Sequence, residues 1–154
     1  MILREYEPKD AQQMYELHIR TVQKVVSKDY EPEIIDQWTK GRSPQKIQES
    51  IAKVDKRLVV EEDSLILGFG EYKNDEVVGL YVSADAQGRG VGTMILTALL
   101  NYIKEDGFLC AKADSTITAQ SFYEKHGFIA CKEGVHPGRN GGPGIACVIM
   151  QKLL

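Results

Sequence analysis

A turn rich in glycine separates a predicted strand from a predicted helix in the middle of the chain. The turn, residues 83–91, reads Ser-Ala-Asp-Ala-Gln-Gly-Arg-Gly-Val, and Gly92 follows it directly. The first N–H groups of a helix have no partner inside the helix, and with the helix dipole they favour a bound anion. Gly88, Gly90 and Gly92 leave room for a phosphate beside the backbone, and Arg89 adds a positive charge. The turn therefore predicts a phosphate site, although similar turns also serve only to pack a helix against a strand.

Start signals for three helices fall in the first third of the chain. Asp10 is a residue type that caps helices, and apolar residues recur at helical spacing from Met14 onward. Pro32 and Pro44 each stand where the first residue of a helix would be. The apolar stripe predicted for the third helix consists of Ile47, Ile51 and Val54.

Strands dominate the rest of the pattern. Apolar alternation predicts strands at 2–6, 58–61, 65–73, 76–83, 108–113, 128–132 and 145–153, with helices after Val91 and over 118–126. A loop with five glycines, residues 134–144, separates the last two strands. The unit from Glu76 to Ala113 is strand–helix–strand, and a crossover of this length requires its two strands to be parallel. We therefore expect an α+β or mixed α/β fold around one sheet.

Charge and cysteine content exclude several classes of protein. The 154 residues carry a formal net charge of -3, which gives no electrostatic reason for a nucleic-acid or membrane partner. Cys110, Cys131 and Cys147 are odd in number and widely spaced, which argues against a disulfide framework or a zinc site. Each lies in an apolar run and is predicted to be a small core residue. The charged N-terminus does not match a signal peptide, so we expect a cytoplasmic protein.

A second motif lies downstream of the glycine turn. Residues 121–128 read Ser-Phe-Tyr-Glu-Lys-His-Gly-Phe and follow the next predicted strand. Together the two segments resemble the GNAT superfamily of N-acetyltransferases, because residues 87–92 match its Q/R-x-x-G-x-G/A acetyl-CoA motif without a gap. The resemblance extends to the order of elements over the whole chain. It implies a single domain, residues 1–154, with a central twisted mixed sheet of about seven strands and helices on both faces.

The resemblance implies that acetyl-CoA is the co-substrate and that no metal is needed. In the family, the turn holds the pyrophosphate and the preceding strand pairs with the pantetheine arm. The residues carried over to this chain are Leu80, Tyr81, Val82, Gln87, Gly88, Arg89, Gly90, Val91, Gly92, Thr93, Thr116 and Ala119. Thr116 departs from the family, since many members carry asparagine seven residues before the tyrosine of the second motif. This departure removes an amide partner for the cofactor arm.

Two residues match the family's proton-transfer groups. Tyr123 matches the general acid, and a phenol with a pKa of about 10 can protonate a thiolate whose acid has a pKa of about 8.5 to 9. The alternative is that Tyr123 packs in the core with its hydroxyl on a backbone carbonyl. Glu76, eleven residues before Gln87, matches the general base of the family's histone-acetylating branch. The alternatives are an exposed glutamate at a strand start and proton removal through water.

The sequence specifies the acceptor poorly. In the family, the N-terminal helices and the last hairpin loop grip it, and here those segments offer His18, Tyr30, Trp38, His136 and Arg139. Each also has a plain structural interpretation, such as a core position for Trp38 or a solvated loop for His136 and Arg139. The expected activity is acetylation of a primary amine of a small molecule or peptide, by direct attack in a ternary complex.

Two other functions stay open at this stage. A non-catalytic acyl-CoA-binding or regulatory module of the same fold would keep the cofactor turn without turnover, and Tyr123 argues against it. A structural or interaction protein that uses the fold alone is disfavoured by the intact turn. We expect no nucleic-acid or membrane partner, and the sequence leaves a homodimer open.

Overall fold

Seven strands and five α-helices follow one another in the computed structural model, which describes residues 1–138 and 142–154. The strands are β1 (Ile2–Glu5), β2 (Lys56–Glu62), β3 (Leu65–Lys73), β4 (Glu76–Val82), β5 (Cys110–Thr116), β6 (Ile129–His136) and β7 (Ile145–Leu153). The helices are α1 (Ala11–Lys24), α2 (Pro32–Thr39), α3 (Pro44–Ser50), α4 (Val91–Glu105) and α5 (Gln120–Lys125). Short 3₁₀ turns cover Pro8–Asp10, Val26–Lys28, Ile51–Lys53 and Ala84–Ala86.

The strands form one mixed sheet in the order β1-β2-β3-β4-β5-β7-β6. Neighbouring strands are antiparallel except β4 and β5, which are parallel as the strand–helix–strand unit predicts. The register of β3 against β4 shifts between Glu71 and Tyr72, so β4 carries one extra residue, Val78. The predicted seven-stranded mixed sheet is confirmed.

Alternate residues of the central strands face two separate cores. Leu58 and Val60 of β2 pack with the apolar face of α4 and with Tyr123 of α5, whereas Val59 packs with Met14 of α1. A third cluster joins α1 and α2 to the start of β7 through Val22, Val26, Ile35, Trp38 and Ile145. Helices therefore cover both faces of the sheet, as predicted.

The predicted ends of two elements are wrong for local reasons. The strand expected at 108–113 runs instead over Cys110–Thr116. Its start is delayed because the Phe108 N–H still donates to the Ile103 carbonyl at the end of α4, over 3.3 Å. The third helix ends at Ser50 and is followed by a 3₁₀ turn, so its stripe does not continue to Val54 in α-helical geometry.

The strand expected at 128–132 is also longer than predicted. As β6 it continues to His136, so Gly134 lies in a strand and not in the glycine-rich loop. β6 is an edge strand paired with β7, and most of its residues are exposed, so its sequence shows no apolar alternation. The core position expected for Cys131 is wrong because this edge leaves it exposed; Cys147 is buried and Cys110 is partly buried.

Asp10 does not cap α1 as predicted. Its side chain is 2% exposed and accepts two hydrogen bonds from the Arg4 guanidinium, both of 2.8 Å, and one from the Glu7 N–H. Burial by itself raises the pKa of Asp10, but these hydrogen bonds and the charge of Arg4 outweigh it and leave the pKa below its ordinary value of 3.8. The carboxylate therefore ties β1 to the start of α1.

This arrangement predicts a stability effect that depends on pH. Asp10→Asn should lower the free energy of unfolding by about 2 kcal/mol at pH 7, because a buried charged hydrogen-bond acceptor is lost. A carboxyl with a lowered folded-state pKa stabilises the fold above its unfolded pKa, and this contribution disappears as pH falls through the folded pKa. Urea unfolding of both proteins should show the difference shrinking below about pH 3.8. An equal difference at pH 7 and pH 3 would contradict the assignment.

Candidate active site

The glycine turn after β4 exposes backbone N–H groups at the start of α4. Gly88 and Gly90 have φ angles of 75° and 84°, a left-handed conformation that favours glycine. The Gln87 side chain donates to the Val82 carbonyl over 2.9 Å and ties the turn to the end of β4. Met94 donates to the Gly90 carbonyl, so the helix itself supplies no acceptor for the N–H groups of residues 91–93. These groups are available to an anion.

Two glycines of β3 allow α4 to lie close to the sheet. A Cβ atom at Gly70 would lie 2.4 Å from Ile95 Cγ2, and one at Gly68 would lie 2.8 Å from Val91 Cγ1. Any side chain at these positions would push α4 outward. The location of the glycine turn therefore depends on β3 as well as on the turn's own sequence.

Beyond the turn, a gap opens between the two parallel strands. β4 and β5 pair at Glu76 with Lys112 and at Val77 with Ala113. A cavity of about 500 Å³, here called the β4–β5 cavity, occupies the gap and reaches the glycine turn. Every predicted cofactor residue except Arg89 lines this cavity. The lining residues among them are Leu80, Tyr81, Val82, Gln87, Gly88, Gly90, Val91, Gly92, Thr93, Thr116 and Ala119.

Arg89 points away from this cavity. Its guanidinium lies 2.7 Å from Glu62 Oε1 at the end of β2, and 43% of the side chain is exposed. Within the described ranges it is absent from the cavity lining. The structure thus gives Arg89 an ion pair with Glu62 rather than a place in the cavity lining.

Two threonines beside the cavity differ in how their hydroxyls are used. Thr116 Oγ1 accepts a hydrogen bond from the Ala119 N–H over 3.0 Å, which helps to turn the chain into α5. Thr118 also lines the cavity, and its buried Oγ1 has no hydrogen-bond partner among residues 1–138 and 142–154. A buried hydroxyl without a partner is costly, so Thr118 is a candidate ligand contact that the sequence analysis missed.

Tyr123 lies in α5 and also lines the β4–β5 cavity. Its residue is 6% exposed, with its ring against Phe122 and Phe128 at centroid distances of 5.5 and 5.1 Å. Burial raises the pKa of Tyr123 well above its ordinary value, and the electrostatic effect of the nearby Tyr81 adds to the rise. The phenol is therefore held in its protonated form.

A second cavity of about 350 Å³, here called the α1–α2 cavity, adjoins the first. Its walls come from α1, α2, the central strands and the ends of the β6–β7 hairpin. Four of the predicted acceptor residues line it, namely His18, Tyr30, Trp38 and His136; Arg139 lies outside the described residues. The two cavities share Val78, Gly79, Tyr81, Asp114 and Thr116. Ligands in the two cavities would meet at these residues.

The four acceptor candidates have different surroundings. His18 is buried against Tyr81, with ring centroids 4.5 Å apart. The Tyr30 hydroxyl donates to the Ala146 carbonyl over 2.6 Å and accepts from the Ile117 N–H, so it also holds β7 to the loop before α5. Trp38 is 6% exposed and belongs to the third core cluster while one side faces the cavity. His136 is half exposed.

A buried ion pair forms part of the α1–α2 cavity wall. Arg57 Nε donates to Glu71 Oε2 over 2.6 Å, and its two terminal nitrogens donate to the Ile47 carbonyl and to Ser50 Oγ. Only 3% of the Arg57 side chain is exposed. Arg57 therefore fixes α3 to the sheet, and its positive charge neutralises the Glu71 carboxylate.

Glu76 is the first residue of β4, beside the paired end of the gap. It belongs to the lining of neither cavity in the described chain. Burial, and then the charge of Asp114, raises the pKa of Glu76. Glu76 is therefore close enough to Asp114 for their charges to interact, but it lies outside the lining of both cavities in the described residues.

The sequence analysis missed the charged residues of this site. Asp114 lies in β5 between the buried residues Ala113 and Ser115, so the sequence pattern alone indicates a solvent-facing position. The same alternation places Asp114 on the same face of β5 as Thr116, a predicted cofactor residue. This shared face was the sequence feature that could have identified Asp114 as a site residue. Glu71 interrupts a predicted strand and Arg57 directly precedes another, and their pairing depends on the β2–β3 register.

Neither a metal site nor a membrane span is seen in the described ranges. Residues 1–138 and 142–154 bring together no group of three histidine, cysteine or acidic side chains suited to a metal ion. None of the helices found there combines the length and apolar content needed to cross a bilayer.

Comparison with known proteins agrees with the fold and the motifs. The family model of the acetyltransferase (GNAT) domain matches residues 26–154. The uncharacterized N-acetyltransferase YafP of Escherichia coli (strain K12) is 29% identical over 131 residues, covering 85% of this chain and 83% of that protein. A GCN5-related N-acetyltransferase from Rhodopseudomonas palustris superposes with a TM-score of 0.92 at 26% identity, covering 99% of this chain and 95% of the other.

A more distant structure shares the fold in a ligand-bound form. The PaiA N-acetyltransferase from Thermoplasma acidophilum, in complex with coenzyme A, has a TM-score of 0.79 at 21% identity and covers 99% and 98% of the two chains. The family match extends over most of the sequence and includes the turn, the β4–β5 gap and α5. The chain therefore belongs to the GNAT family of N-acetyltransferases.

Proposed function

We propose that residues 1–154 form one catalytic domain that moves the acetyl group of acetyl-CoA to a primary amine of a small molecule or peptide. The observation that carries this proposal is the meeting of the two cavities. One begins at the glycine turn and the other lies between α1, α2 and the β6–β7 hairpin, and five residues line both. Direct attack in a ternary complex is the chemistry that suits two cavities joined in this way.

The β4–β5 cavity has the donors that acetyl-CoA requires. The N–H groups of residues 91–93 and the glycine turn suit a pyrophosphate. The edge of β4 facing the gap suits the amide groups of the pantetheine arm, in the manner of an added strand. The coenzyme supplies an acetyl thioester, an activated acyl group. The coenzyme A complex of the PaiA neighbour supports this assignment by fold alone.

The α1–α2 cavity suits a small amine or the end of a peptide. Aromatic side chains at Tyr30, Trp38 and Phe69 give it faces that attract a cationic amine. Asp114 offers a carboxylate that an ammonium group can approach beside His136, which lies 3.4 Å away, whereas Glu71 is already paired with the charged Arg57. A volume of about 350 Å³ favours a compact acceptor.

Tyr123 is the general acid in this proposal. Its side chain lines the cavity in which the thioester would lie, and burial keeps its proton in place until the thiolate forms. Cys147 lines the other cavity, but burial, and then the charge of Asp114, raises the pKa of its thiol. A thiol that stays protonated is a poor nucleophile, which supports direct transfer over an acetyl-cysteine route.

The proposal is tested by release of free thiol from acetyl-CoA with a panel of primary amines. The panel contains spermidine, glucosamine, lysine methyl ester and a short peptide with a free N-terminus. Transfer to at least one amine, with initial-rate lines that intersect, is the expected result. Ping-pong kinetics or a trapped acetyl-enzyme would contradict direct attack. Binding of acetyl-CoA without turnover on the panel would favour the regulatory-module alternative.

The Thr118 hydroxyl provides a separate check on the cofactor path. Thr118→Val should weaken acetyl-CoA binding about fivefold, the value of one neutral hydrogen bond. The melting temperature of the free protein should not fall, because the hydroxyl has no partner to lose within the described residues. Thr116→Val is the matched variant: it removes the side-chain acceptor of the Ala119 N–H, which keeps the Thr116 carbonyl, and should lower the melting temperature. Unchanged acetyl-CoA affinity in Thr118→Val, measured by calorimetry, would exclude the contact.

A further inference from the structure

Asp114 occupies the junction between the two cavities and is paired with a histidine. It is the carboxylate among the five residues that line both cavities. Its Oδ2 lies 3.4 Å from Nε2 of His136, the last residue of β6, and the side chains are 33% and 50% exposed. The pair spans β7, which lies between β5 and β6 in the sheet. An acidic and a basic group thus stand together at the point where the two substrates would meet.

The geometry gives the two side chains distinct chemical roles. When Nε2 of a neutral imidazole carries the hydrogen and faces a carboxylate, Nδ1 is left as a proton acceptor. His136 also lines the α1–α2 cavity, which is the space proposed for the acceptor. Imidazole is better matched than a carboxylate to proton transfer near neutral pH. Because half of the His136 side chain is exposed, a proton taken up there can leave to solvent.

We propose that His136, held and charge-stabilised by Asp114, is the base that deprotonates the acceptor. This inference rests on the proposed function. The N–H bond of the ammonium breaks, its electron pair stays on nitrogen, and the proton goes to His136 Nδ1. The amine nitrogen then bonds to the thioester carbonyl carbon, the C–S bond breaks, and the departing thiolate takes the Tyr123 proton. The nitrogen loses its second proton as the neutral amide forms, and this proton restores the Tyr123 phenol. The imidazolium pairs with Asp114 until it loses its proton to water.

Charged and titratable groups from neighbouring strands also face this pair. Glu76 of β4 is subject to the charges of both Asp114 and His136, while Lys112 of β5 is paired with Asp75 over 3.1 Å. Cys147 of β7 is subject to the charge of Asp114 and hydrogen-bonds to the His136 backbone. The Tyr30 hydroxyl donates to the carbonyl of Ala146, the residue before Cys147.

The decisive variant is His136→Ala with free imidazole added. We expect kcat/KM for the best amine of the panel to fall about 100-fold with acetyl-CoA affinity unchanged, near the lower end for loss of a general base. Millimolar imidazole should raise the kcat/KM of His136→Ala at least tenfold, since free imidazole can occupy the half-exposed space that the side chain leaves. The matched variant is His126→Ala. In the described chain His126 lines neither cavity, although its ring bonds Thr93 Oγ1 and the Phe122 carbonyl in the wall of the β4–β5 cavity. Imidazole should not raise its rate.

Two further variants separate the possible outcomes. Asp114→Asn should lower kcat and should add little to His136→Ala in the double variant, because the two residues act as a unit. If His136→Ala is within threefold of wild type while Glu76→Gln loses activity, the base is Glu76 and this inference is overturned. A loss in His136→Ala without imidazole rescue, repeated in a folded His136→Gln, also overturns it. If the wild type acetylates none of the amines, the proposed function fails first and this inference fails with it.

Discussion

Replacing Tyr123 by phenylalanine is expected to lower kcat by about 10²- to 10⁴-fold, the usual contribution of a general acid. The change removes one hydroxyl and leaves the ring to pack against Phe122 and Phe128. Burial disfavours a phenolate, but it also disfavours a thiolate released in the same cavity, so proton transfer between them stays feasible. Acetyl-CoA affinity and the melting temperature should remain those of the wild type. Steady-state kinetics, calorimetry and thermal unfolding measure the three quantities.

A matched variant distinguishes catalysis from packing. Tyr72 is also a buried tyrosine, but its hydroxyl donates to Asp106 Oδ2 over 2.8 Å, far from the glycine turn. Tyr72→Phe should lose about 1 kcal/mol of stability and keep its kcat. A Tyr123→Phe enzyme that behaves like Tyr72→Phe would show that Tyr123 only packs. If Tyr123→Phe loses acetyl-CoA affinity, Tyr123 is a cofactor contact. If its kcat stays within a few-fold of the wild-type value while chemistry is rate-limiting, the proton comes from another donor.

The second large effect is expected at the glycine turn. Gly90→Val should weaken acetyl-CoA binding at least about 100-fold, because two charge-assisted hydrogen bonds of about 1.5–3 kcal/mol each are blocked. A Cβ at Gly90 meets no protein atom within 4 Å, and Gly90 lines the β4–β5 cavity, so we expect the new side chain to occupy part of the space proposed for the pyrophosphate. The φ angle of 84° adds about 1–2 kcal/mol of backbone strain, which the fold should tolerate.

Gly107 provides a control with the same local strain. It follows the other end of α4, has a φ angle of 97°, and a Cβ there would also meet nothing within 4 Å. Gly107→Val should therefore lose a similar amount of stability and keep its acetyl-CoA affinity. If both variants bind acetyl-CoA equally well in calorimetry, the pyrophosphate site lies elsewhere.

The parts of the fold that the sequence predicted are those with a strong local signal. Gly90 and Gly92 between a strand and an amphipathic helix predicted the turn, and the length of that helix predicted the parallel pairing of β4 and β5. The length of the edge strand β6 was underestimated, because an exposed edge strand needs no apolar alternation in its sequence. Its last residue, His136, is placed beside Asp114 by strand register rather than by any local pattern.

Close approach between distant residues was also beyond local patterns. Gly70 of β3 contacts Ile95 only after α4 folds back over the sheet, so the sequence of β3 gives no hint that it sets the helix position. The pairing of Arg57 with Glu71 likewise depends on how β2 and β3 align. Asp114 shares its face of β5 with Thr116, but only the meeting of two cavities shows why that face matters.

The gap between β4 and β5 also bears on how long the folded chain survives. The two halves of the sheet share backbone hydrogen bonds along a short seam at residues 76–77 and 112–113. In the proposed complex the coenzyme bridges the open part of that seam and becomes a structural member of the sheet. Ligand at 100 times its dissociation constant stabilises a fold by about 2.7 kcal/mol. Acetyl-CoA and spent coenzyme A would both act in this way, so a shortage of the whole coenzyme pool would leave the enzyme more open to proteolysis as well as without substrate.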